Sequence, residues 1–179
     1  MPQRFPRRQV TKSMSLRPIS SRLPVRWCPQ GACLAIEKPP RPAPLLAVVQ
    51  GLRSRPDLKG RRLILAARGF PAVPALFAAA IEPAIDGLYL AGGLVSFQSI
   101  VDTEDYDQPF GNFVPNLLLH TDLPELAASL APRRVVLAGA VDGAGHRLAP
   151  DEVRKHYSGA VHVEVLPDAL WDSSGILRA

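Results

Sequence analysis

The stretch RLILAARGFPAVPALFAAA, from Arg62 to Ala80, carries the clearest structural signal in the chain. Its run from Leu63 to Ala67 is apolar at every position, which is typical of a strand buried on both faces of a parallel sheet. Arg68 and Gly69 then predict a sharp turn, and an alanine-rich helix is predicted from near Pro71. In a parallel sheet such a turn lies at the carboxyl end of its strand, where α/β folds bind their ligands.

Three further stretches downstream are predicted to be strands. They are Gly87 to Ala91, Arg134 to Gly139 and Val161 to Leu166. Helices are predicted over 43–53, from Asp122 or its neighbour Thr121, and over 151–157. Strands that alternate with helices form a parallel sheet with right-handed crossovers, so we expect an α/β domain over 41–179 with about four strands flanked by helices.

The segment 94–120, between the second and third of these strands, has no regular apolar period. It contains a cluster of acidic and aromatic residues: Asp102, Glu104, Asp105, Tyr106, Asp107 and Phe110. Long loops inside compact domains are often functional. The simpler interpretation, which we adopt, is a solvated excursion in which Tyr106 and Phe110 are buried.

Positive charge is concentrated in the first 40 residues, which are rich in Arg, Ser and Pro and lack apolar periodicity. The net charge of the chain is +5, and seven Lys and Arg residues precede Glu37 with no acidic residue among them. The rest of the chain is therefore slightly acidic, which argues against a folded basic face for nucleic acid. We expect residues 1–40 to be a disordered basic segment. Three origins stay open for it: an organellar transit peptide, a basic arm, or a misplaced start or reading frame.

The sequence argues against several other kinds of site. Cys28 and Cys33 lack the second pair of ligands that a zinc site requires, so we expect no metal. The run Gly139 to Gly145, GAVDGAG, departs from the G-x-G-x-x-G spacing of dinucleotide sites, and we expect no cofactor. No apolar run approaches the ~20 residues of a membrane span, and no apolar region follows the early arginines as a secretory signal requires. The localisation stays open.

Three stretches resemble the C-terminal half of an α/β hydrolase, and more narrowly the bacterial acetylxylan esterase-like hydrolases. They are VVQGLRSRPDL, ALFAAAIEPAIDGLYLAGGLVSF and TDLPELAASLAPRRVVLAGAVDGAG, all between Pro44 and Tyr157. In that family a Pro-Arg pair, here Pro132-Arg133, commonly precedes the strand that delivers the acid of the catalytic triad. The resemblance implies an ester hydrolase by descent, with an acylated carbohydrate or a small ester as its ligand.

The resemblance also implies that the predicted strands are the last four of a larger sheet. The earlier strands, and the loop that would supply part of the oxyanion hole, are missing from the predicted elements. One edge of the strand from Leu63 to Ala67 would then be bare, and a long apolar edge strand promotes association. We therefore expect self-association through this edge.

The residues that the resemblance places at the catalytic positions form an incomplete triad. The bend that would hold the serine of a G-x-S-x-G motif has Gly69 at the nucleophile position, and none of the eleven serines or two cysteines lies in such a motif. Asp142 follows the third strand, where the fold supplies its acid, and this carboxylate is equally suited to cap the Gly143 turn. No histidine follows Leu166, where the base is expected. His146 lies four residues after Asp142, close enough to pair with it, and is either the candidate base or an ordinary surface histidine.

Two functions therefore stay open from the sequence. The first is an esterase-like protein by descent that is catalytically incomplete. The second is an active carboxylic or carbohydrate esterase of acetylxylan type that uses a non-standard nucleophile. Ser96 and Ser99 follow the second strand and are the serines nearest to the expected rim, but nothing in their spacing supplies oxyanion donors. Arg68 at the bend is expected to be a solvated side chain.

Overall fold

The computed structural model describes residues 25–28, 31–36, 42–171, 173–177 and 179. Within these residues six strands form one sheet: β1 (Val25–Cys28), β2 (Gly31–Ile36), β3 (Arg62–Arg68), β4 (Gly87–Ala91), β5 (Arg134–Ala138) and β6 (Val163–Leu166). The α-helices of this part of the chain are α1 (Pro42–Arg53), α2 (Ala72–Ile81), α3 (Gln98–Val101), α4 (Leu123–Ala128), α5 (Pro150–His156) and α6 (Ser173–Ile176). Short 3-10 helices cover Pro56–Leu58, Phe110–Asn112 and Leu117–Leu119.

The strands follow one another across the sheet in chain order, from β1 to β6. Strands β2 to β6 are parallel, whereas β1 pairs with β2 in the antiparallel direction. The predicted α/β class and the four predicted parallel strands are confirmed, as β3 to β6. Strand β3 is buried from Leu63 to Ala67 and exposed at both ends, as expected of a strand with layers on both of its faces. Strand β6 begins at Val163 rather than at the predicted Val161.

The edge of β3 that faces away from β4 is covered, so the prediction of a bare edge is wrong. Strand β2 lies along it in a parallel register that pairs Gly31 with Arg62 and Ile36 with Ala67. Strands β1 and β2 belong to the segment for which the sequence predicts disorder, and the remaining residues of 1–40 lie outside the described residues. An unpaired strand edge presents a row of N–H and C=O groups, and the short apolar run GACLAI pairs with them. Self-association stays a prediction, with β1 and β6 as the outer strands of the described sheet.

One face of the sheet packs against helices. Its side chains come from alternate positions of the strands, and Leu65, Leu88 and Val135 are each at most 1% exposed. Helices α1, α2, α4 and α5 all contribute apolar side chains to the same cluster. Helix α2 is alanine-rich, and Ala75 and Ala78 are fully buried. The small side chains let this helix lie close to the sheet.

The opposite face is covered by the described residues of the C-terminal segment after β6. Ile64, Tyr89 and Val136 of three neighbouring strands pack there in one cluster with Ile176 of α6. The hydroxyl group of Tyr89 donates a hydrogen bond to the main-chain oxygen of Leu170 at 2.5 Å. The C-terminal segment is therefore part of the core.

Two glycines of the sheet allow this segment to approach closely. A Cβ atom at Gly87 would lie 2.6 Å from the main-chain oxygen of Ala179, and one at Gly139 would lie 2.7 Å from the main-chain nitrogen of Ala169. The same oxygen of Ala179 accepts from Nη2 of Arg62 at 2.7 Å. A side chain at either glycine would push the segment off the sheet.

Arginine side chains close the amino-terminal edge of the sheet. Nη2 of Arg53 donates at 2.6 Å to the Asp86 carboxylate, which also accepts from the N–H of Leu63 at 2.6 Å. Arg133, directly before β5, donates from Nη1 to the main-chain oxygen of Ala79 at 2.7 Å. This oxygen lies in the last turn of α2, where main-chain oxygens have no partner within the helix.

Candidate ligand-binding site

The bend between β3 and α2 lies at the carboxyl-terminal edge of the sheet, as predicted. Gly69 has a φ of 67°, in the left-handed region that residues with a side chain rarely adopt. Its N–H donates to the main-chain oxygen of Ala91 at 2.7 Å, and its own oxygen accepts from the N–H of Ala72 at 2.9 Å. A Cβ atom built at Gly69 meets no atom within 4 Å apart from its chain neighbours. Hydrogen bonds hold the bend, and open space lies where a side chain would begin.

A pocket of about 510 Å³ opens beside the bend. Its lining comes from the bend, the turn after β4, the 94–120 segment and the loop after β5: Arg68, Gly69, Phe70, Pro71, Gly92, Asp107, Gln108, Val141 and Gly145. Small-molecule sites typically have volumes of roughly 300–1,000 Å³. Segments that follow three neighbouring parallel strands meet here, as the carboxyl ends of such strands do in α/β folds.

Two buried amide side chains hold the bend from the 94–120 segment. Asn112 is 8% exposed, and its Nδ2 donates to the main-chain oxygen of Phe70 at 3.0 Å. The same group donates to Oε1 of Gln108 at 3.3 Å. Since the Phe70 oxygen only accepts, the Asn112 amide must turn its NH₂ group towards it, and this orients the Gln108 amide in turn. The Nε2 group of Gln108 is left without an acceptor among the described residues.

Two further donors of the pocket have no acceptor in the described part of the chain. The side chain of Arg68 is exposed, as predicted, and makes no hydrogen bond or ion pair with another described residue. The main-chain N–H of Phe70, directly after the bend residue Gly69, also donates to no described acceptor. The pocket is therefore rich in free hydrogen-bond donors.

Asp142 lies in the loop after β5 and closes a turn. Its Oδ1 accepts from the N–H of Ala144 at 3.0 Å and of His146 at 2.8 Å, as an Asx turn does. Its Oδ2 lies 3.4 Å from Nδ1 of His146, whose side chain is 81% exposed. The structure thus brings the predicted acid and the candidate base together. Their neighbours Val141 and Gly145 line the pocket, whereas Asp142 and His146 do not.

Ser96 and Ser99 are engaged in the turn that leads into α3. Ser96 is 1% exposed, and its Oγ accepts from the N–H of Ser99 at 3.0 Å. The Oγ of Ser99 donates to the main-chain oxygen of Ser96 at 2.8 Å. Neither serine lines the pocket. Both hydroxyl groups stabilise this turn.

A buried network supports the loop after β4. Asp122 begins α4, as predicted, in a capping box with Glu125, and its Oδ1 also accepts from the N–H of Phe97 at 2.7 Å. Tyr157, after α5, donates its hydroxyl hydrogen to the main-chain oxygen of Val95 at 2.9 Å. Burial, and to a smaller extent the charges of Asp122 and Glu125, raise the pKa of Tyr157 well above its usual value.

The 94–120 segment and the loop after β5 are in direct contact at the pocket. The N–H of Asp107 donates to the main-chain oxygen of Gly143 at 2.8 Å. Tyr106 and Phe110 are 52% and 87% exposed, so their interpretation as buried residues is wrong. Phe113 packs against the core instead, and the Tyr106 ring contacts it edge-on with centroids 5.3 Å apart.

Gln108 and Asn112 are the site residues that the sequence reasoning missed. Both lie in an irregular segment in which the acidic and aromatic residues were the visible signal. Amide side chains follow no motif there, because their role depends on a main-chain oxygen of the distant bend. Nothing in the local sequence distinguishes them from solvated loop residues.

Within the described residues, no group of three or more His, Cys, Asp or Glu is arranged to hold a metal ion. None of the described helices has the length and apolar character needed to cross a membrane. Cys28 and Cys33 belong to β1 and β2, and their side chains lie outside the described part of the structure.

No family model matches the sequence, and no curated protein matches it significantly. Among solved structures, the chain is similar to a protein from Bacteroides fragilis NCTC 9343 that is named a "putative acetyl xylan esterase". The TM-score is 0.53 and the sequence identity is 15%, over 74% of this chain and 41% of that chain. The present chain thus spans less than half of that protein's length. At this identity the likeness shows a shared fold, which is a parallel sheet flanked by helices.

Proposed function

We propose that this chain descends from an esterase of the α/β-hydrolase fold and binds a ligand in the pocket beside Gly69 without hydrolysing an ester. The observation that carries the proposal is Gly69 itself, because the bend has no side chain where a nucleophile would stand. Its φ of 67° fits the strained strand-to-helix turn of a nucleophile elbow. The fold shared with the Bacteroides protein supports this descent.

The residues around the bend support binding without turnover. Ester hydrolysis on a triad requires a nucleophile, a base within hydrogen-bond reach of it and an acid that orients the base. His146 contacts Asp142 but is largely exposed and does not line the pocket. Asp142 accepts hydrogen bonds from main-chain N–H groups of its own turn. Removal of the nucleophile from a triad abolishes most of its rate enhancement.

The second candidate function, an active acetylxylan-type esterase with a non-standard nucleophile, has one observation in its favour. The contact between Asp142 and His146 joins a carboxylate and an imidazole, as the acid and the base of a triad are joined. Ser99 is the less buried of the two candidate serines, and it would have to give up its hydrogen bond to Ser96. Under either candidate function, the proposed descent makes the ligand an acylated carbohydrate, a small ester, or the acid that such an ester contains.

Hydrolysis of p-nitrophenyl acetate separates the two candidates. We expect the purified chain to release p-nitrophenol no faster than a heat-denatured sample. Release above this control that a serine-directed fluorophosphonate abolishes would overturn the proposal. Ser99→Ala would then test the nucleophile, and Ser129→Ala is the matched control, since its hydroxyl group bonds only the nearby main-chain oxygen of Leu126.

The variant Gly69→Ser tests whether the bend is the position of a lost nucleophile. The added side chain has open space but strains the backbone at this positive φ, so we expect a less stable but folded protein with slow fluorophosphonate labelling at this residue. Gly51→Ser, at a helical position whose Cβ also meets no atom within 4 Å, is the control and should stay unlabelled. Mass spectrometry of the labelled peptides reads out both variants. Equal labelling of the two would contradict the assignment of the bend.

A further inference from the structure

The pocket beside Gly69 is lined by the buried side-chain amide of Gln108, whose oxygen has a hydrogen-bond partner and whose NH₂ group has no described one. Gln108 is 9% exposed and lines the pocket, and its Oε1 accepts from Asn112. Its Nε2 group has no acceptor among the described residues. Every fully buried side-chain nitrogen or oxygen in the described part of the chain has a partner. The Nε2 group is therefore not fully buried, and since Gln108 lines the pocket, a ligand there can satisfy it.

Two more free donors line the same pocket and favour negative charge. The guanidinium group of Arg68 binds a carboxylate through parallel N–H bonds better than any other side chain. The free N–H of Phe70 lies two residues before α2, a helix of 10 residues whose amino-terminal end attracts anions. A positive charge and three donors, two from the bend and one from the 94–120 segment, select a carboxylate over a neutral group.

Asp107 provides the pocket with a charge of the opposite sign. Its carboxylate lies beside the loop after β5, where its Oδ2 would be 3.0 Å from a Cβ atom at Gly145. Asp107 and Arg68 both line the pocket, and neither forms an ion pair with a described residue. Two opposite charges that share a pocket without pairing favour a ligand with acceptors at one end and a donor at the other.

We propose that this pocket binds a small hydroxycarboxylate, an acid whose carboxylate and hydroxyl group lie on neighbouring carbons. The carboxylate accepts from Arg68, from the N–H of Phe70 and from Nε2 of Gln108, and the hydroxyl group donates to Asp107. This deepens the proposed function and rests on it, because a nucleophile side chain at Gly69 would fill part of the same space.

Titration of the isotope-labelled protein with sodium lactate tests this proposal by NMR. We expect saturable shifts of the Phe70 amide signal and of the Gln108 side-chain NH₂ signals. Sodium propionate, which lacks the hydroxyl group, should bind about tenfold more weakly because one hydrogen bond to a charged group is lost. Lactamide and sodium chloride, which test charge and ionic strength, should produce no saturable shift. Equal responses to lactate and sodium chloride would overturn the inference.

The variant Gln108→Glu is the sharpest test of the amide. It keeps the oxygen that accepts from Asn112 and replaces the NH₂ group with a second oxygen, so the fold is kept while the donor is lost. We expect a loss of lactate affinity of at least about tenfold, measured by calorimetry. Arg68→Gln should weaken the binding of lactate to the same degree, and it changes an exposed side chain that forms no hydrogen bond with a described residue. Arg55→Gln removes an exposed arginine from another part of the surface and should leave the affinity unchanged.

The outcomes separate this inference from the proposed function. Asp107→Ala should bring the affinity for lactate down to that for propionate. Equal weakening by Arg68→Gln and Arg55→Gln would show nonspecific binding and overturn the site. Lactate binding together with hydrolysis of p-nitrophenyl acetate would overturn the proposed function alone. Absence of both would overturn the hydroxycarboxylate site alone.

Discussion

The two edges of the sheet use arginine in opposite ways. At the amino-terminal edge, Arg53 donates to Asp86 at 2.6 Å and Arg133 donates to the main-chain oxygen of Ala79 at 2.7 Å. At the carboxyl-terminal edge, the side chain of Arg68 is exposed and makes no hydrogen bond or ion pair with a described residue. The first group of donors is committed to the protein, and the second is available to a ligand.

The difference follows from what each end of α2 requires. Its last turn leaves main-chain oxygens without a partner, and Arg133 donates to that of Ala79 and also to those of Glu82 and Ile85 after the helix, each at 3.3 Å. At its first turn, main-chain oxygens of the bend, those of Gly69 and Pro71, accept from the N–H groups of Ala72 and Ala75. A donor that satisfies an orphan oxygen stabilises the fold, whereas an orphan donor that stays free forms a binding site. Arg147, which pairs with Asp168 at 3.1 Å, ties two exposed loops at the carboxyl edge and leaves the pocket open.

The largest effect should come from Arg133→Met at the amino-terminal edge. This change keeps the aliphatic stem but leaves the oxygens of the last turn of α2 without their donor. We expect the free energy of unfolding to fall by about 2–3 kcal/mol, measured by urea denaturation. Arg134→Met, which removes an exposed pair with Glu164, is the neighbouring control and should lower it by less than about 1 kcal/mol. Similar losses in the free energy of unfolding of Arg133→Met and Arg134→Met would contradict a special role of Arg133 in stabilising the fold.

A smaller effect is expected from Tyr157→Phe, which removes a committed donor near the carboxyl-terminal edge. Loss of the hydrogen bond to Val95 should lower the free energy of unfolding by about 1 kcal/mol at neutral pH. Burial raises the folded-state pKa of Tyr157 above its ordinary value of 10.0, so the unfolded chain loses this proton first as the pH rises. The contribution of the neutral hydroxyl is therefore complete below pH 10.0 and is lost at higher pH.

The difference in the free energy of unfolding between the wild-type protein and Tyr157→Phe should therefore fall by about 1.4 kcal/mol per pH unit above pH 10.0. Urea denaturation of both proteins at a series of alkaline pH values measures it. A constant difference across the series would show that the Tyr157 hydroxyl titrates equally in the folded and unfolded states.

The smallest effect on stability should come from Arg68→Gln. The side chain is exposed and has no described partner, so the free energy of unfolding should change by less than about 0.5 kcal/mol. Urea denaturation beside Arg133→Met gives the comparison directly. A loss above about 1 kcal/mol would show that Arg68 is committed to the fold, and the two edges would then be alike.

A strand of the sheet could be predicted from the sequence where its own residues form an apolar run. The run from Leu63 to Ala67 is buried throughout β3, and Gly87 to Ala91 is buried throughout β4. Strand β2 was missed, because GACLAI is short and follows a basic segment, and its pairing depends on the open edge of β3. The cover of the second face was missed for a similar reason, since it depends on the space above Gly87 and Gly139.

The candidate site was readable only in part. Asp142 was recognised as a turn-capping carboxylate because an aspartate before glycine interacts with its own backbone. Its contact with His146 followed from the short separation along the chain. Gln108 was not found, because its orientation is imposed by Asn112, and that of Asn112 by the Phe70 oxygen.

The sequence by itself determined the parallel strands from β3 to β6 and the absence of a side chain at the bend. Both are local properties, because an apolar run and a glycine are defined by consecutive residues and do not depend on groups that are distant in the chain. Only the tertiary structure decided which donors stay free, because a donor is free or paired according to groups that are distant in the chain. Asn112 and Phe70 are 42 residues apart, and their hydrogen bond is what orients the amide of Asn112 and, through it, that of Gln108.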